Sequence, residues 1–84
     1  MSTDALQLYV KTWCPWCIKA KAQLEEYGLP YEEIDVEADR EDYAEMIRLS
    51  GQSLTPTLVV GEHVLPDFGP PELEAFLKKH GLIS

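Results

Sequence analysis

The sequence WCPWC at residues 13–17 holds both cysteines of this 84-residue chain and separates two different hydrophobic patterns. An apolar, β-favourable run precedes it at residues 6–10, and a helical pattern follows it at residues 18–27. The first backbone amides of a helix have no internal partner, so a negative charge is stabilised near them. Cys14 falls at this predicted helix start, and Pro15 suits the first helical position because it lacks an amide hydrogen. The pattern therefore favours a thiolate at Cys14.

Cys17 follows Cys14 by three positions, so it lies on the same face of the predicted helix. This spacing permits the two thiols to close a disulfide after a small adjustment. A purely structural disulfide is one alternative, but closing so short a loop would stabilise the folded state by only roughly 2 kcal/mol. A metal half-site is another, but the other soft ligands, His63 and His80, have no spacing that pairs them. The motif is most typical of a redox-active dithiol.

The length predicts one small domain over residues 1–84. No segment approaches the ~20 apolar residues that span a bilayer, and the first residues lack the basic and apolar regions of a signal peptide. We therefore expect a cytoplasmic monomer without a membrane partner, and in that compartment a cysteine pair is more often catalytic than structural. The net charge of −8 argues against a nucleic-acid partner.

The charges are distributed unevenly along the chain. Residues 5–24 contain three lysines and no acid, whereas residues 25–45 contain ten acids and one base, Arg40. The acidic segment is most simply explained by solubility. The lysines near the cysteines are either ordinary surface residues or a source of positive charge that lowers the thiol pKa and attracts anionic thiols.

Hydrophobic periodicity predicts the element order β-α-β-α-β-β-α. Strands are predicted at residues 6–10, 30–36, 57–60 and 63–65, and helices at residues 15–27, from an Asp39 cap to Ser50, and from Pro71 onward. The second helix is expected to place one face inward, formed by Tyr43, Met46, Ile47 and Ser50. The last helix is expected to do the same with Leu73, Phe76 and Leu77. Strands one and two should be parallel, and strands three and four antiparallel.

Together with these elements, Lys11-Thr12-Trp13-Cys14-Pro15-Trp16-Cys17 and Ser50-Gly51-Gln52-Ser53-Leu54-Thr55-Pro56 resemble the glutaredoxin branch of the thioredoxin-like superfamily. The resemblance covers about residues 6–80. It implies an α/β, thioredoxin-like fold, with a four-stranded mixed sheet flanked by three helices. It also implies a thiol–disulfide oxidoreductase with Cys14 as nucleophile, Cys17 as resolving thiol and a cis Pro56 packed against them. From the residues alone, Thr55-Pro56 is either an ordinary trans strand start or one of the rarer cis bonds.

The resemblance also implies a substrate site. The backbone at Thr55 would pair with the bound thiol substrate, and Lys11 and Gln52 would meet the glycine carboxylate of glutathione, with Trp16 alongside. Surface positions are the plainer interpretation of Lys11 and Gln52, and Trp13 suits either the core or a partner contact. The complete set of predicted substrate-binding residues is Lys11, Trp13, Pro15, Trp16, Gln52, Leu54, Thr55, Pro56, Asp67 and Phe68.

One segment departs from the family pattern. Glutaredoxins usually carry Gly-Gly-x-Asp after strand four, whereas this chain has Leu65-Pro66-Asp67-Phe68-Gly69. Pro66 removes an amide donor and fixes φ, and Asp67 replaces the family's acid one residue away. The Phe-Gly-Pro stretch resembles redoxins that serve ribonucleotide reductase, and mycoredoxins. Some of those are reduced by a flavoprotein, thioredoxin reductase, instead of by glutathione.

The expected partners are therefore glutathione as a co-substrate, disulfide-bonded or glutathionylated proteins, and alternatively a flavoprotein reductase. No tightly bound cofactor is expected. An alternative of another class is a binding module that bridges an iron–sulfur cluster between two subunits through Cys14 and glutathione. Pro15 argues against that alternative, because family members that bind such clusters usually have a small residue there.

Overall fold

The computed structural model describes residues 6–84. Its elements, in chain order, are β1 (Leu6–Val10), α1 (Pro15–Glu26), β2 (Tyr31–Asp35), α2 (Arg40–Ser50), β3 (Thr57–Val60), β4 (His63–Pro66) and α3 (Pro70–Lys79). This order confirms the β-α-β-α-β-β-α prediction. None of the helices in residues 6–84 is long and apolar enough to cross a membrane.

The four strands form one sheet in the order β2-β1-β3-β4. β1 pairs in parallel with β2, with Leu8 opposite Glu33, and antiparallel with β3, with Leu8 opposite Leu58. β3 and β4 form the predicted antiparallel pair, with Val60 opposite His63. The mixed sheet follows from the connections, since β1 reaches β2 through a helix whereas β3 reaches β4 through a tight turn.

The sheet is covered on both faces, because successive strand residues point to opposite sides. On one face, Leu8 and Leu58 pack with Leu24 of α1 and with Leu73 and Leu77 of α3. On the other face, Tyr9 and Val59 pack with Val36 and with Met46 of α2. Both cysteines belong to the first of these two clusters, so the dithiol is built into the α1–α3 side of the molecule.

The structure corrects several predicted boundaries. α1 ends at Glu26, with Tyr27 as its C-terminal cap, and β2 spans only residues 31–35. β4 includes Pro66, which is tolerated because β4 lies at the edge of the sheet, where a missing amide leaves no neighbouring strand unpaired. α3 begins at Pro70, one residue before the predicted Pro71, with Gly69 as its N-cap.

The face predicted for α2 is only partly correct. Met46 is fully buried and Tyr43 packs beside it, as predicted. Ile47, however, is 37% exposed, and Leu49 packs against the core instead. The helix is therefore rotated slightly from the predicted stripe, and tertiary packing against β4 outweighs the local apolar pattern.

Candidate active site

α1 begins at the dithiol. Cys14 is the N-cap residue, with extended backbone angles, and its carbonyl accepts the first helical hydrogen bond from Ile18 at 3.1 Å. The backbone amide of Cys17 donates to Sγ of Cys14 at 3.3 Å. This is the bond that a serine or aspartate side chain makes at an ordinary N-cap, with sulfur in place of oxygen. Pro15 takes the first helical position, as predicted, so it leaves no competing amide there.

The surroundings of Cys14 favour its ionised form. Burial alone would raise the pKa of the Cys14 thiol. Hydrogen bonds with the side chain and amide of Cys17, with Thr55 and with the Trp16 amide have the opposite effect. These hydrogen bonds outweigh burial, so the pKa of Cys14 is lowered. Lys11, which the sequence offered as a source of positive charge, has its ammonium 5.7 Å from the ring centroid of Trp13. The Cys17 side chain, together with the backbone amides of Cys17 and Trp16 and with Thr55, therefore carries the stabilisation of the thiolate.

Cys17 has the opposite character. Its side chain is only 1% exposed, and burial, together with the neighbouring Cys14 thiol, raises the pKa of Cys17 to about 11. Both cysteines are free thiols in this structure. Cys14 is thus the more readily ionised thiol of the pair, and Cys17 is the thiol that keeps its proton to higher pH.

The loop before β3 lies against Cys14, 41 residues away in sequence. The Thr55–Pro56 peptide bond is cis, which confirms the expectation drawn from the resemblance. The Thr55 carbonyl lies 3.8 Å from Sγ of Cys14. The carbonyl of Pro56 accepts a hydrogen bond from the Asp67 amide at 2.9 Å. Pro56 therefore connects the dithiol to the segment that leads into α3.

Gln52 is half-buried, and its side chain is engaged within the loop. Its amide nitrogen donates to the hydroxyls of Ser50 at 2.9 Å and Thr57 at 3.0 Å. Its carbonyl oxygen accepts a bond from the Leu54 amide. Gln52 is thus not the solvated helix-end residue of the plainer interpretation, and its contacts hold the loop that presents Thr55.

Four large apolar side chains are exposed beside the dithiol or beside Thr55: Trp13 at 65%, Trp16 at 52%, Ile18 at 55% and Leu54 at 53%. Trp13 is therefore not a core residue, which rules out one of its two predicted roles. Its indole nitrogen donates to Glu37 at 3.0 Å, which fixes the ring at the surface. Trp16 carries the Lys19 ammonium 4.6 Å from its ring centroid.

The segment between β4 and α3 lines the other side of Trp16. Asp67 is exposed and has a positive φ of 48°, a backbone region that aspartate tolerates better than most residues. Phe68, expected to contact substrate, has its side chain 5% exposed and packed in the core. The Gly69 amide donates to Glu72 at 3.1 Å. A Cβ added to Gly69 would lie 3.2 Å from the Glu72 carboxylate and 3.7 Å from the Trp16 ring.

The sequence interpretation missed two of these residues. Glu72 stands three positions after the N-cap of α3, which is the position of the reciprocal acid in a capping box, so that pattern offered a signal. No local sequence pattern indicated a role for Glu37, because its partner Trp13 lies 24 residues earlier in the chain.

The two histidines are paired in space although their spacing did not predict it. The rings of His63 and His80 stack with centroids 4.0 Å apart. His63 follows the turn opposite Val60, which pairs with Leu6, whereas Cys14 follows the other end of β1. The histidines and the cysteines therefore lie at opposite ends of the sheet, and among residues 6–84 no three His, Cys, Asp or Glu side chains are grouped to hold a metal ion.

The dithiol lies at a helix start, with the pKa of one thiol lowered and that of the other raised, beside a cis proline that precedes a strand of a mixed four-stranded sheet. These features define a thioredoxin-like thiol–disulfide oxidoreductase. The glutaredoxin family model matches residues 6–65, which include every element up to β4. The chain belongs to the glutaredoxin family.

Known relatives agree with this assignment. A glutaredoxin of Neisseria meningitidis is 41% identical over 60 residues, covering 70% of this chain and 71% of its own length. A glutaredoxin of Pseudomonas aeruginosa is 36% identical over 55 residues, covering 66% of each chain. Among solved structures, the glutaredoxin-like NrdH-redoxin of Escherichia coli, described as having a thioredoxin-like activity profile, superposes with a TM-score of 0.73 at 26% identity. That match covers 87% of this chain and 93% of the redoxin.

Proposed function

We propose that this chain reduces protein disulfides through Cys14 as the attacking thiolate and Cys17 as the resolving thiol. The single observation that carries this proposal is the Cys17 amide bonded to Sγ of Cys14 at the start of α1, with the pKa of Cys14 lowered. The Cys14 thiolate attacks one sulfur of the substrate disulfide, the S–S bond breaks, and the other substrate sulfur leaves as a thiolate. A mixed disulfide between Cys14 and the substrate remains.

Cys17 completes the exchange. Once Cys14 is bonded to the substrate, it no longer carries the charge that helps to raise the pKa of Cys17. Cys17 then loses its proton to the departing thiolate or to solvent and attacks Sγ of Cys14. The second substrate thiol leaves reduced, and the chain carries a Cys14–Cys17 disulfide. With a glutathionylated protein, the Cys14 thiolate attacks the glutathione sulfur, and the protein sulfur leaves as a thiolate. A second glutathione thiolate then attacks the glutathione sulfur of the Cys14–glutathione disulfide, which releases glutathione disulfide and the Cys14 thiolate.

The substrate backbone would pair with Thr55. The Thr55 carbonyl already lies 3.8 Å from Sγ of Cys14, so a peptide in line with this residue brings its sulfur to the thiolate. Gln52 acts here as a positioning residue, since its bonds to Ser50, Thr57 and Leu54 hold the loop. The remaining surface around the dithiol is formed by Lys11, Trp13, Pro15, Trp16 and Leu54. Lys11 is the partner proposed for a substrate carboxylate.

The segment that leads into α3 indicates which reductant regenerates the dithiol. At residues 66–71, three of six positions are proline, and two of the amides are engaged: that of Asp67 with Pro56 and that of Gly69 with Glu72. Phe68 supplies the remaining amide. The carboxylate at the γ-glutamyl end of glutathione would therefore meet few donors and the negative charges of Asp67 and Glu72. This favours a flavoprotein of the thioredoxin reductase type as the donor, with glutathione as a weaker co-substrate.

An assay coupled to NADPH oxidation tests both the reduction of disulfides and the identity of the electron donor. The same disulfide substrate is reduced by this chain with either glutathione plus glutathione reductase or thioredoxin reductase alone. We expect the higher kcat/KM for this chain with thioredoxin reductase. Faster turnover with glutathione would overturn the assignment of the donor, and an absence of turnover with both would overturn the proposed function.

A further inference from the structure

A pocket of about 320 Å³ lies beside Trp16, lined by Trp16, Asp67, Phe68, Gly69, Pro70, Pro71 and Glu72. Two of the residues that line this pocket connect it to the dithiol. Trp16 lies between the two cysteines in sequence, and its amide is one of the groups that stabilise the Cys14 thiolate. Asp67 is bonded through its amide to Pro56, whose neighbour Thr55 contacts the Cys14 thiol.

The walls of this pocket combine two kinds of surface. The Trp16 ring and the two prolines form an apolar slot. Gly69 lies between the ring and Glu72, since a Cβ added there would be 3.7 Å from the ring and 3.2 Å from the Glu72 carboxylate. Asp67 and Glu72 add two carboxylates, and neither of them takes part in an ion pair with the residues that the structure describes. The lining includes no lysine or arginine, and Lys19 lies over the Trp16 ring outside it.

We propose that this pocket selects protein substrates that carry a lysine or arginine within two residues of the reactive cysteine. The inference rests on the proposed function and adds a substrate preference to it. The aliphatic stem of lysine or arginine packs well on aromatic and proline surfaces while its charged end stays hydrated. Here that end would reach two carboxylates that lack a cation. A substrate with glutamate at the same place would bring a third negative charge into the pocket.

The test uses disulfide-bonded peptides that are identical except for one residue flanking the cysteine. That residue is lysine, glutamate or norleucine, placed in turn at each of the two positions on either side. Reduction by this chain, regenerated by thioredoxin reductase or by a chemical dithiol, is followed as kcat/KM. At low ionic strength we expect the lysine peptide to exceed the glutamate peptide about tenfold in at least one placement, and about 0.5 M salt to reduce that ratio severalfold.

Variants assign the preference to the pocket. Asp67→Asn keeps a residue that tolerates positive φ, and Glu72→Gln keeps an oxygen that accepts the Gly69 amide, so both preserve the local structure. We expect the double variant to lose the lysine-over-glutamate ratio. Glu62→Gln with Glu41→Gln, two exposed acids outside the pocket lining, makes the same change in net charge and should keep the ratio. Glu72→Gln alone should lower it partly.

The outcomes separate this inference from the proposed function. Equal reduction of the lysine, glutamate and norleucine peptides would overturn the pocket preference and leave the oxidoreductase intact. A ratio that persists in the Asp67→Asn, Glu72→Gln double variant, or that falls equally in the control variant, would overturn it as well. If no peptide were reduced at all, the proposed function would fail and the preference with it.

Discussion

The starts of α1 and α3 both contribute side chains to the same pocket, but their amides act differently. Each helix has proline at its first position, and Trp16 at one start and Gly69 at the other line the pocket together. In α1, the Cys17 amide is directed at a sulfur and favours its negative charge. In α3, Pro70 and Pro71 provide no amide, and the Gly69 amide is already bonded to Glu72. The α1 start thus directs an amide at a thiol that can ionise, whereas the α3 start has fewer amides and carries the Glu72 carboxylate.

This contrast shows that a helix N-terminus attracts anions only through the amides it leaves available. A proline at the first position is compatible with either outcome. What differs is the acceptor: Cys14 is a group that reacts, whereas Glu72 is a permanent carboxylate that caps its own helix.

Replacing Cys14 by serine should abolish turnover, because the amides at the start of α1 would then face a hydroxyl that does not ionise at neutral pH. Cys17→Ser should lose most reduction of protein disulfides but retain the reduction of glutathionylated substrates, which needs only Cys14. Both are measured with purified variants in the NADPH-coupled assay. Complete loss of deglutathionylation in Cys17→Ser would show that Cys14 does not act alone in that branch.

The two thiols should be alkylated in different pH ranges. The pKa of Cys14 is lowered from the ordinary value of 9.0 and that of Cys17 is raised to about 11, so at pH 7 iodoacetamide should modify Cys14 first. The rate at Cys14 should rise with pH and level off below pH 9, whereas Cys17 should continue to gain reactivity above pH 9. Mass spectrometry of the two sites gives both profiles. A midpoint for Cys14 at or above 9 would remove the assigned role of the α1 amides.

Restoring amides to α3 should improve the use of glutathione. The triple variant Pro70→Ala, Pro71→Ala and Glu72→Gln adds two donors and removes one carboxylate at the start of the helix. An anion near a helix N-terminus gains typically about 0.3–1 kcal/mol, so we expect the KM for glutathione to fall about two- to fivefold. Pro30→Ala, a change at an exposed proline before β2, is the matched control and should leave this KM unchanged. An unchanged KM in the triple variant would mean that the α3 start does not face glutathione.

α2 provides a third helix start, capped by a side chain. Asp39 accepts the Glu41 amide at 2.8 Å, as the sequence predicted for an N-cap. Asp39→Ala should lower the free energy of unfolding by about 1 kcal/mol and leave kcat/KM unchanged. Urea denaturation, with Asp39→Asn as the conservative control that keeps the cap, measures this. A loss of activity beyond the loss of folded protein would show that α2 is coupled to the dithiol.

Much of the fold was predictable because it depends on neighbours in the chain. The order of elements, the Asp39 cap, the hairpin between β3 and β4 and the place of Cys14 at a helix start follow from hydrophobic period and capping chemistry within a few residues. The errors lie where packing decides. Ile47 fits the predicted inward face of α2 but is exposed. β4 was predicted to span residues 63–65 but extends to Pro66 at the sheet edge.

By itself, the sequence determined that this chain carries one dithiol at the start of a helix, in a βαβ frame that ends in a hairpin and a helix. Only the tertiary structure decided what surrounds that dithiol. The contacts of Thr55 with Cys14, of Asp67 with Pro56 and of Glu37 with Trp13 join segments that are distant along the chain. The pocket that Trp16 shares with Gly69 does the same. The physical reason is that capping and periodicity act over a few residues, whereas the pocket and the exposed tryptophans depend on how separate elements pack across the sheet.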